Sequence, residues 1–209
     1  MALRWAEISC QEEGCLDQRN IDNLKQSFYL SIKYRSEMEQ TVITPCMIQE
    51  FHKQILFGNR HAGIIRHMQE VCTVEPYTEK LHFYPKPMLI EEQLLCICDA
   101  TNKKIVEWRK RENKRDFTFI EIVAWTCYNI VSLHPFTDGN GRLTRLVAAF
   151  LLMDIVDYPI TIISDNWVQA LVAIRNSFPR HAYFPINCDP TPLTMVLLYS
   201  INERKTDIH

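Results

Sequence analysis

The sequence predicts a mainly α-helical domain with one small β-hairpin. Apolar residues recur at helical spacing in several long segments. Two short β-prone runs, residues 71–74 and 81–84, flank a turn-like stretch and predict the hairpin. With 209 residues, of which 47% are hydrophobic, the chain is long enough to bury one sizeable core.

In the first half, residues 21–39 have apolar side chains near helical spacing and predict an N-terminal helix. Thr44 as an N-cap and Pro45 in the first turn predict that a second helix begins there, and Gly58 ends it. A long helix is expected over residues 88–112. The polar stretch 99–102 is a candidate interruption of that helix.

In the second half, residues 117–133 are apolar on nearly every side and predict a buried central helix. Leu143, Leu146 and Val147 lie at the spacing of the next helix. Ser164 and Thr191 are candidate N-caps of two further helices near the end of the chain.

Charge and cysteine usage exclude several classes of protein. The net charge is −2, so no global field favours nucleic acid or an acidic membrane surface. The eight cysteines contain no C-x-x-C pair, which favours reduced core cysteines and a cytoplasmic location. No apolar run approaches the roughly 18 residues of a membrane span, and the N-terminus lacks the apolar stretch of a signal peptide.

The stretch "HPFTDGNGRLTR", residues 134–145, concentrates the chemistry of the chain. Gly139 and Gly141 precede a helix and permit the close backbone approach that a phosphate cradle needs. Arg142 and Arg145 share one face of that helix's first turn. Cations there oppose the helix dipole, so an anion is expected between them.

Two further side chains complete the motif. Asp138 offers a carboxylate suited to Mg²⁺ that bridges phosphates. His134, with an unperturbed pKa of about 6.5, is suited to take a proton from an attacking hydroxyl. Together these groups favour phosphoryl or nucleotidyl transfer. A tight polar turn between two helices is the alternative.

The motif resembles the Fic-domain signature H-x-F-x-[DE]-G-N-G-R-x-x-R at every defined position. The similarity extends to "FHKQILF", "AGIIR", "FYPKP" and "DNWVQAL", and covers roughly residues 44–175. Enzymes of this family mostly transfer AMP from ATP to a Ser, Thr or Tyr hydroxyl of a target protein. The resemblance therefore implies a Fic-like helical bundle with a hairpin flap.

The resemblance also implies residue roles. It makes His134 the general base, Asn140 and Arg142 further catalytic residues, and Asp138 the ligand of Mg²⁺, with Mn²⁺ as an alternative metal. It places ATP on Gly139, Asn140, Gly141, Arg142, Arg145 and Trp167, with Phe136 anchoring the loop. A plain core role for Trp167 stays open. The flap residues Leu81, His82, Phe83 and Tyr84 would hold the target segment by strand addition.

An inhibitory helix is a second family feature. In one class it precedes the domain and carries a motif like S-S-x-I-E-G-N, whose Glu pairs with the second Arg of the signature. "RSEMEQT", residues 35–41, resembles it and would make Glu39 the inhibitory partner of Arg145. Arg35 replaces a Ser of the motif, and Gln40 and Thr41 replace its Gly and Asn.

The resemblance implies a catalytic domain over residues 44–209 and an N-terminal helical segment over 1–43 that carries the inhibitory helix. We expect a protein adenylyltransferase, autoinhibited through Glu39, that acts on a target protein and on no nucleic acid. Hydrolytic AMP removal at the same site, transfer of a different group, and a catalytically idle nucleotide- or protein-binding module stay open. A homodimer also stays open.

Overall fold

The computed structural model describes residues 6–7, 9–10, 17–68, 73–74, 81–82, 84–156, 160, 162, 166–176 and 185–206. The helices are α1 (Gln18–Glu37), α2 (Pro45–Ile55), α3 (Ile90–Arg109), α4 (Asp116–Leu133), α5 (Asn140–Leu152), α6 (Trp167–Asn176) and α7 (Thr191–Thr206). Residues 6, 7, 9 and 10 are helical as well. The prediction of a mainly α-helical fold is confirmed.

The first two long helices begin where polar side chains cap them. The carboxylate of Asp17 accepts a hydrogen bond from the N–H of Asn20 at 3.0 Å. The hydroxyl of Thr44 accepts from the N–H of Met47 at 3.2 Å. Each cap satisfies an N–H group of the first turn that has no partner within the helix. The predicted start of the second helix at Thr44 is therefore confirmed.

Helix α4 runs through the middle of the bundle because nearly all of its residues are apolar. It packs against α3, α5 and α7, and side chains on all of its sides are buried. Burial of a large apolar side chain contributes about 1.5–3 kcal/mol. The core therefore holds the end of α4 at Leu133, directly before the motif that begins at His134.

Helix α3 is continuous across the expected interruption at residues 99–102. The amide of Asn102 donates to the carbonyl oxygen of Ile43 and accepts from its N–H, at 2.8 and 3.0 Å. The hydroxyl of Thr101 bonds the carbonyl oxygen of Ile97 and the hydroxyl of Thr126. Asn102 thus has tertiary partners, and Thr101 combines one tertiary partner with a bond to the carbonyl four residues before it in the same helix, so neither side chain interrupts α3.

The strands are β1 (Thr73–Val74) and β2 (Leu81–His82), which pair antiparallel. Thr73 lies opposite His82, and Val74 lies opposite Leu81. Residues 71, 72 and 83 of the expected strands lie outside the described residues. The described part of the hairpin is therefore short, and the chain returns to the bundle at Tyr84.

Asp154 joins the N-terminal segment to the bundle just beyond the end of α5. Its side chain, 4% exposed, pairs with Arg35 at 3.0 Å and with Arg109 at 2.5 Å, and accepts a hydrogen bond from Thr41. Side chains of α1 and of the later helices belong to one hydrophobic core. Among the helices within the described ranges, none is long and apolar enough to cross a membrane.

Candidate active site

His134 occupies the turn at the end of α4 in a left-handed backbone conformation, with φ 51° and ψ 60°. Its N–H still donates to the carbonyl oxygen of Ile130, at 3.1 Å. Among the described residues it is the one non-glycine with positive φ. Such a conformation is strained for a residue with a Cβ and persists where the surroundings enforce it.

The side chain of Asn140 braces the loop that follows His134. Its Nδ2 donates to the carbonyl oxygen of Phe136 at 2.7 Å, and its Oδ1 accepts from the N–H of Phe136 at 3.1 Å. Phe136 is fully buried, and its ring stacks on that of His52 with 3.7 Å between centroids. Phe136 thus anchors the loop, and the amide of Asn140 is fully engaged in closing it.

Gly139 begins α5 and needs to be glycine. Its φ of 76° lies in the left-handed region, and a Cβ there would meet Nε2 of His52 at 3.4 Å. No side chain caps α5, so the N–H groups of its first turn face the loop without a side-chain acceptor. Gly141 is the second residue of this helix, and its carbonyl oxygen accepts from the hydroxyl of Thr144 at 2.9 Å.

The guanidinium of Arg142 is buried and only partly satisfied. Its Nη2 donates to the carboxylate of Asp138 at 3.2 Å. Its Nε and Nη1 have no hydrogen-bond partner among the described atoms. Buried cationic N–H groups without acceptors are costly. Because a guanidinium binds phosphate oxygens through two parallel hydrogen bonds, an anion at this place would satisfy both nitrogens.

The carboxylate of Asp138 is 65% exposed beside that guanidinium. One of its oxygens accepts from the N–H of Gly139 at 2.6 Å. No group of three or more His, Cys, Asp or Glu side chains among the described residues could hold a metal by itself. A lone exposed carboxylate beside a phosphate site fits Mg²⁺, which is commonly bound by one or two carboxylates together with substrate phosphates and water.

Arg145 is buried, but it does not meet the expected partner. Its Nε donates to the hydroxyl of Ser9, and its Nη2 donates to the carbonyl oxygen of Ser9, both at 3.0 Å. Glu39 lies in an exposed bend after α1, between the Arg35 and Thr41 side chains that bind Asp154. Arg145 lies in the second turn of α5, whereas Asp154 lies beyond the end of that helix at Leu152. Glu39 therefore belongs to the segment that is held at the C-terminal end of α5, and no contact joins it to Arg145 among the described residues.

The Ser9 contact identifies a segment that the sequence reading missed. "SCQEEG", residues 9–14, matches the inhibitory pattern S-S-x-I-E-G-N at its first Ser, its Glu and its Gly, which are Ser9, Glu13 and Gly14. Residues 35–41 match the same pattern at its second Ser and its Glu, which are Ser36 and Glu39, so residues 9–14 match at one position more. Glu13 and Gly14 lie outside the described residues.

The structure also shows the surroundings of two other implied residues. Trp167 is the first residue of α6 and is 1% exposed within the core, so it offers no accessible face to a nucleotide. Tyr84 follows β2, and its buried ring stacks on His134. The target-binding role of Leu81 and His82 stays a prediction, and Phe83 lies outside the described residues.

His52 and Arg66 also support the loop, and neither was singled out from the sequence. The N–H of Gly63 donates to Nδ1 of His52 at 2.9 Å, and Nε2 of His52 bonds the carbonyl oxygen of Asp138 at 2.9 Å. Arg66 donates to the carbonyl oxygen of His134 at 2.7 Å. His52 is followed by Lys53, and Arg66 is followed by His67, so the local pattern carries no signal of a buried supporting role for either residue.

Comparisons with known proteins identify the family to which this fold belongs. A family model described as the Fic/DOC family matches residues 42–152. The chain is 36% identical over 110 residues to the protein adenylyltransferase fic-1 of Caenorhabditis elegans, a match that covers 51% of this chain and 18% of that protein. It is 32% identical over 118 residues to a Fido domain-containing protein of Dictyostelium discoideum, covering 54% of this chain and 73% of that protein.

The fold is also similar to a solved structure. A Fic domain containing signaling protein from Bacteroides thetaiotaomicron superposes with a TM-score of 0.72 at 19% identity, over 88% of this chain and 70% of that chain. At this identity the similarity shows the fold alone. The chain spans less than a fifth of the length of the C. elegans relative and about three quarters of the Dictyostelium one.

Proposed function

The chain belongs to the Fic/DOC family, and we propose that it is a protein adenylyltransferase that moves AMP from ATP to a hydroxyl side chain of a target protein. The observation that carries the proposal concerns Arg142. Two of its buried guanidinium nitrogens have no hydrogen-bond partner within the described part of the chain, and they lie beside an exposed carboxylate and a helix start that no side chain caps. Relatives named protein adenylyltransferase support this reaction class.

The phosphates of ATP bind where α5 begins. Arg142 donates its Nε and Nη1 to phosphate oxygens, and the first-turn N–H groups of α5 add weaker donors of the same sign. Asp138 would hold Mg²⁺, and the metal when bound would supply neutralisation of part of the phosphate charge. The carboxylate of Asp138 already lies within 3.2 Å of Arg142, so one small region serves both the metal and the phosphates.

His134 acts as the general base. The oxygen of the target hydroxyl attacks the α-phosphorus, and the bond from that phosphorus to the oxygen bridging it to the β-phosphate breaks. Pyrophosphate leaves, the new bond joins AMP to the target, and the hydroxyl proton passes to the imidazole of His134. Positioning and charge neutralisation supply most of the rate in such transfers.

Regulation resides in the segment that carries Ser9. The contact of Ser9 with Arg145 and the pattern Ser9-x-x-x-Glu13-Gly14 make Glu13, rather than Glu39, the carboxylate to test. A carboxylate from this segment that binds Arg145 would compete with the terminal phosphate of ATP for the guanidinium. Bound ATP would then be misplaced for attack on its α-phosphate, and a displacement of about 1 Å can cost roughly 10²-fold in rate.

The test is incubation of the chain, and of its Glu13→Gly variant, with α-labelled ATP and Mg²⁺, followed by intact mass measurement. We expect one or more AMP groups on the protein, more on Glu13→Gly than on the parent. His134→Ala should abolish the transfer while ATP binding persists, and His61→Ala, which changes an exposed histidine, should not.

Three outcomes contradict the proposal in different ways. ATP binding with no AMP on any protein, in either background, would favour the idle binding module. Release of AMP from an AMP-modified protein, with no addition, would favour hydrolytic removal. Undiminished transfer by His134→Ala would remove that residue from the role of base.

A further inference from the structure

Two side chains converge on His134 from the side on which the hairpin returns to the bundle. The ring of Tyr84 stacks on the imidazole, with 3.9 Å between centroids and 15° between planes. The guanidinium of Arg66, 3% exposed, lies against the backbone of the same histidine. The sequence had assigned Tyr84 to target binding and had assigned Arg66 no role.

Arg66 ties the histidine to the segment that carries Tyr84. Its Nε donates to the carbonyl oxygen of His134 at 2.7 Å, and its Nη2 donates to the carbonyl oxygen of Pro85 at 2.6 Å. Its own N–H donates to the carbonyl oxygen of Pro135 at 3.0 Å. One planar guanidinium therefore fixes the relative position of His134 and of the residue that follows Tyr84.

This contact coincides with the strained turn of the motif. His134 has φ 51°, a conformation that a residue with a Cβ adopts at a cost. The hydrogen bonds of Arg66 hold the carbonyl groups on both sides of this turn, including the 3.5 Å contact with Leu133. Charge-assisted hydrogen bonds of this kind are stronger than neutral ones, so they are suited to enforcing the turn.

We propose that Arg66 and Tyr84 are positioning residues of the base: Arg66 sets the backbone of His134, and Tyr84 sets the plane of its imidazole. The inference rests on the proposed function, in which His134 accepts the proton. Tyr84 covers one face of the imidazole, so the target hydroxyl approaches from the remaining side. The π face of Tyr84 also favours the imidazolium that forms as the proton arrives.

The positioning can be tested without catalysis, by NMR of the chain with labelled histidine. The Cε1–H resonance of His134 is identified by its absence in His134→Asn. A stacked aromatic ring displaces this resonance upfield. We expect Tyr84→Phe to keep the displacement and Tyr84→Leu to lose it. Arg66→Lys keeps the positive charge but removes the planar guanidinium with its several donors, and it should reduce the upfield displacement. Arg19→Met is the matched control, because Arg19 donates to the carbonyl oxygen of Phe57 in an exposed loop.

The kinetic test asks whether the position matters. Tyr84→Leu should lower kcat for AMP transfer by roughly 10- to 100-fold while the Kd for ATP changes little, and Tyr84→Phe should restore most of the loss. An unshifted His134 resonance in Tyr84→Leu, or equal loss of kcat in Tyr84→Phe and Tyr84→Leu, would overturn the proposal. The Arg66→Lys result is used only if the circular dichroism of this variant shows the helical content of the parent. If it does not, the result for Tyr84→Leu tests the proposal.

Failure of the proposed function has a separate signature. The parent chain could transfer no AMP while its His134 resonance still responds to Tyr84→Leu and not to Arg19→Met. That result would support the positioning contacts and exclude the proposed adenylyltransferase activity. The NMR readout therefore distinguishes the two proposals.

Discussion

His52 donates a hydrogen bond to the carbonyl oxygen of Asp138, across 86 positions of sequence, at 2.9 Å. Its other ring nitrogen accepts from the N–H of Gly63, also at 2.9 Å. Because Nδ1 is an acceptor, the neutral ring carries its proton on Nε2. The imidazole thus supports the carbonyl next to Gly139 as a neutral side chain, and protonation of Nδ1 would remove the acceptor of Gly63.

Acid should therefore destabilise the loop through His52. Burial lowers the pKa of His52 to about 4, below the usual value of about 6.5. The contribution of neutral His52 to stability is fully present above about pH 6.5 and is lost as the pH falls toward about 4. The expected loss of unfolding free energy between pH 7.5 and pH 4.5 is roughly 2–3 kcal/mol. Urea unfolding at pH 7.5 and 4.5 should show this loss in the parent and in His61→Gln, and a smaller one in His52→Gln. Parallel pH profiles for the parent and His52→Gln would contradict the assignment.

Removal of the Asp138 charge should weaken the dependence of ATP binding on Mg²⁺. Asp138→Asn keeps an oxygen for the N–H of Gly139 but presents no negative charge to a metal. We expect the Kd for ATP in Mg²⁺ to rise by about tenfold or more, with little change in Kd when the metal is chelated. Asp99→Asn, which changes an exposed acid on α3, is the control. Equal magnesium titrations for parent and Asp138→Asn would exclude Asp138 as the ligand.

Arg142 should be needed for ATP binding but should not stabilise the ligand-free fold. Its Nε and Nη1 are buried without acceptors, so Arg142→Met should leave the unfolding free energy of the ligand-free chain unchanged or raise it by about 1 kcal/mol. The same change should abolish measurable ATP binding. Thermal unfolding with and without ATP checks both effects. A large loss of stability without ligand would mean that the guanidinium is satisfied in solution.

Substitution of Glu13, and not of Glu39, should relieve autoinhibition of AMP transfer. Glu13→Gly should raise the rate of AMP addition by up to roughly 10²-fold, and more than it raises ATP affinity. Glu39→Gly should leave the rate unchanged, because Glu39 lies in the exposed bend beside the Asp154 cluster. Paired rates of AMP addition and removal for the parent and both variants provide the measurement. Activation by Glu39→Gly alone would restore the original assignment.

Asp154 should be important for stability rather than for chemistry. Its 4% exposed carboxylate pairs with Arg35 and Arg109, and Asp154→Ala would remove the acceptor that these two guanidinium groups share. Because the two arginine side chains are 28% and 22% exposed and can be hydrated, we expect a loss of about 1–3 kcal/mol of unfolding free energy. Glu37→Ala, which removes the exposed pair with Lys33, should cost less than about 1 kcal/mol. Equal denaturation midpoints for the two variants would contradict this difference.

The sequence alone was sufficient for features that depend on residues close together in the chain. The Thr44 cap, the apolar helix α4 and the twelve-residue motif each involve neighbours within a few positions, where backbone geometry is nearly the same in any fold that contains the element. Asp138, Gly139 and Arg142 therefore lie where their spacing predicts. The order of helices follows for the same reason.

Tertiary structure alone decided the contacts between distant residues. Ser9 and Arg145 are 136 positions apart, and Arg66 and His134 are 68 positions apart. Which side chain reaches a buried guanidinium depends on how helices pack, and local periodicity carries no information about this. The sequence therefore predicted a glycine-containing turn before α5 with a histidine beside it. The packing determined that Ser9 meets Arg145, that Trp167 is in the core, and that Tyr84 lies on His134.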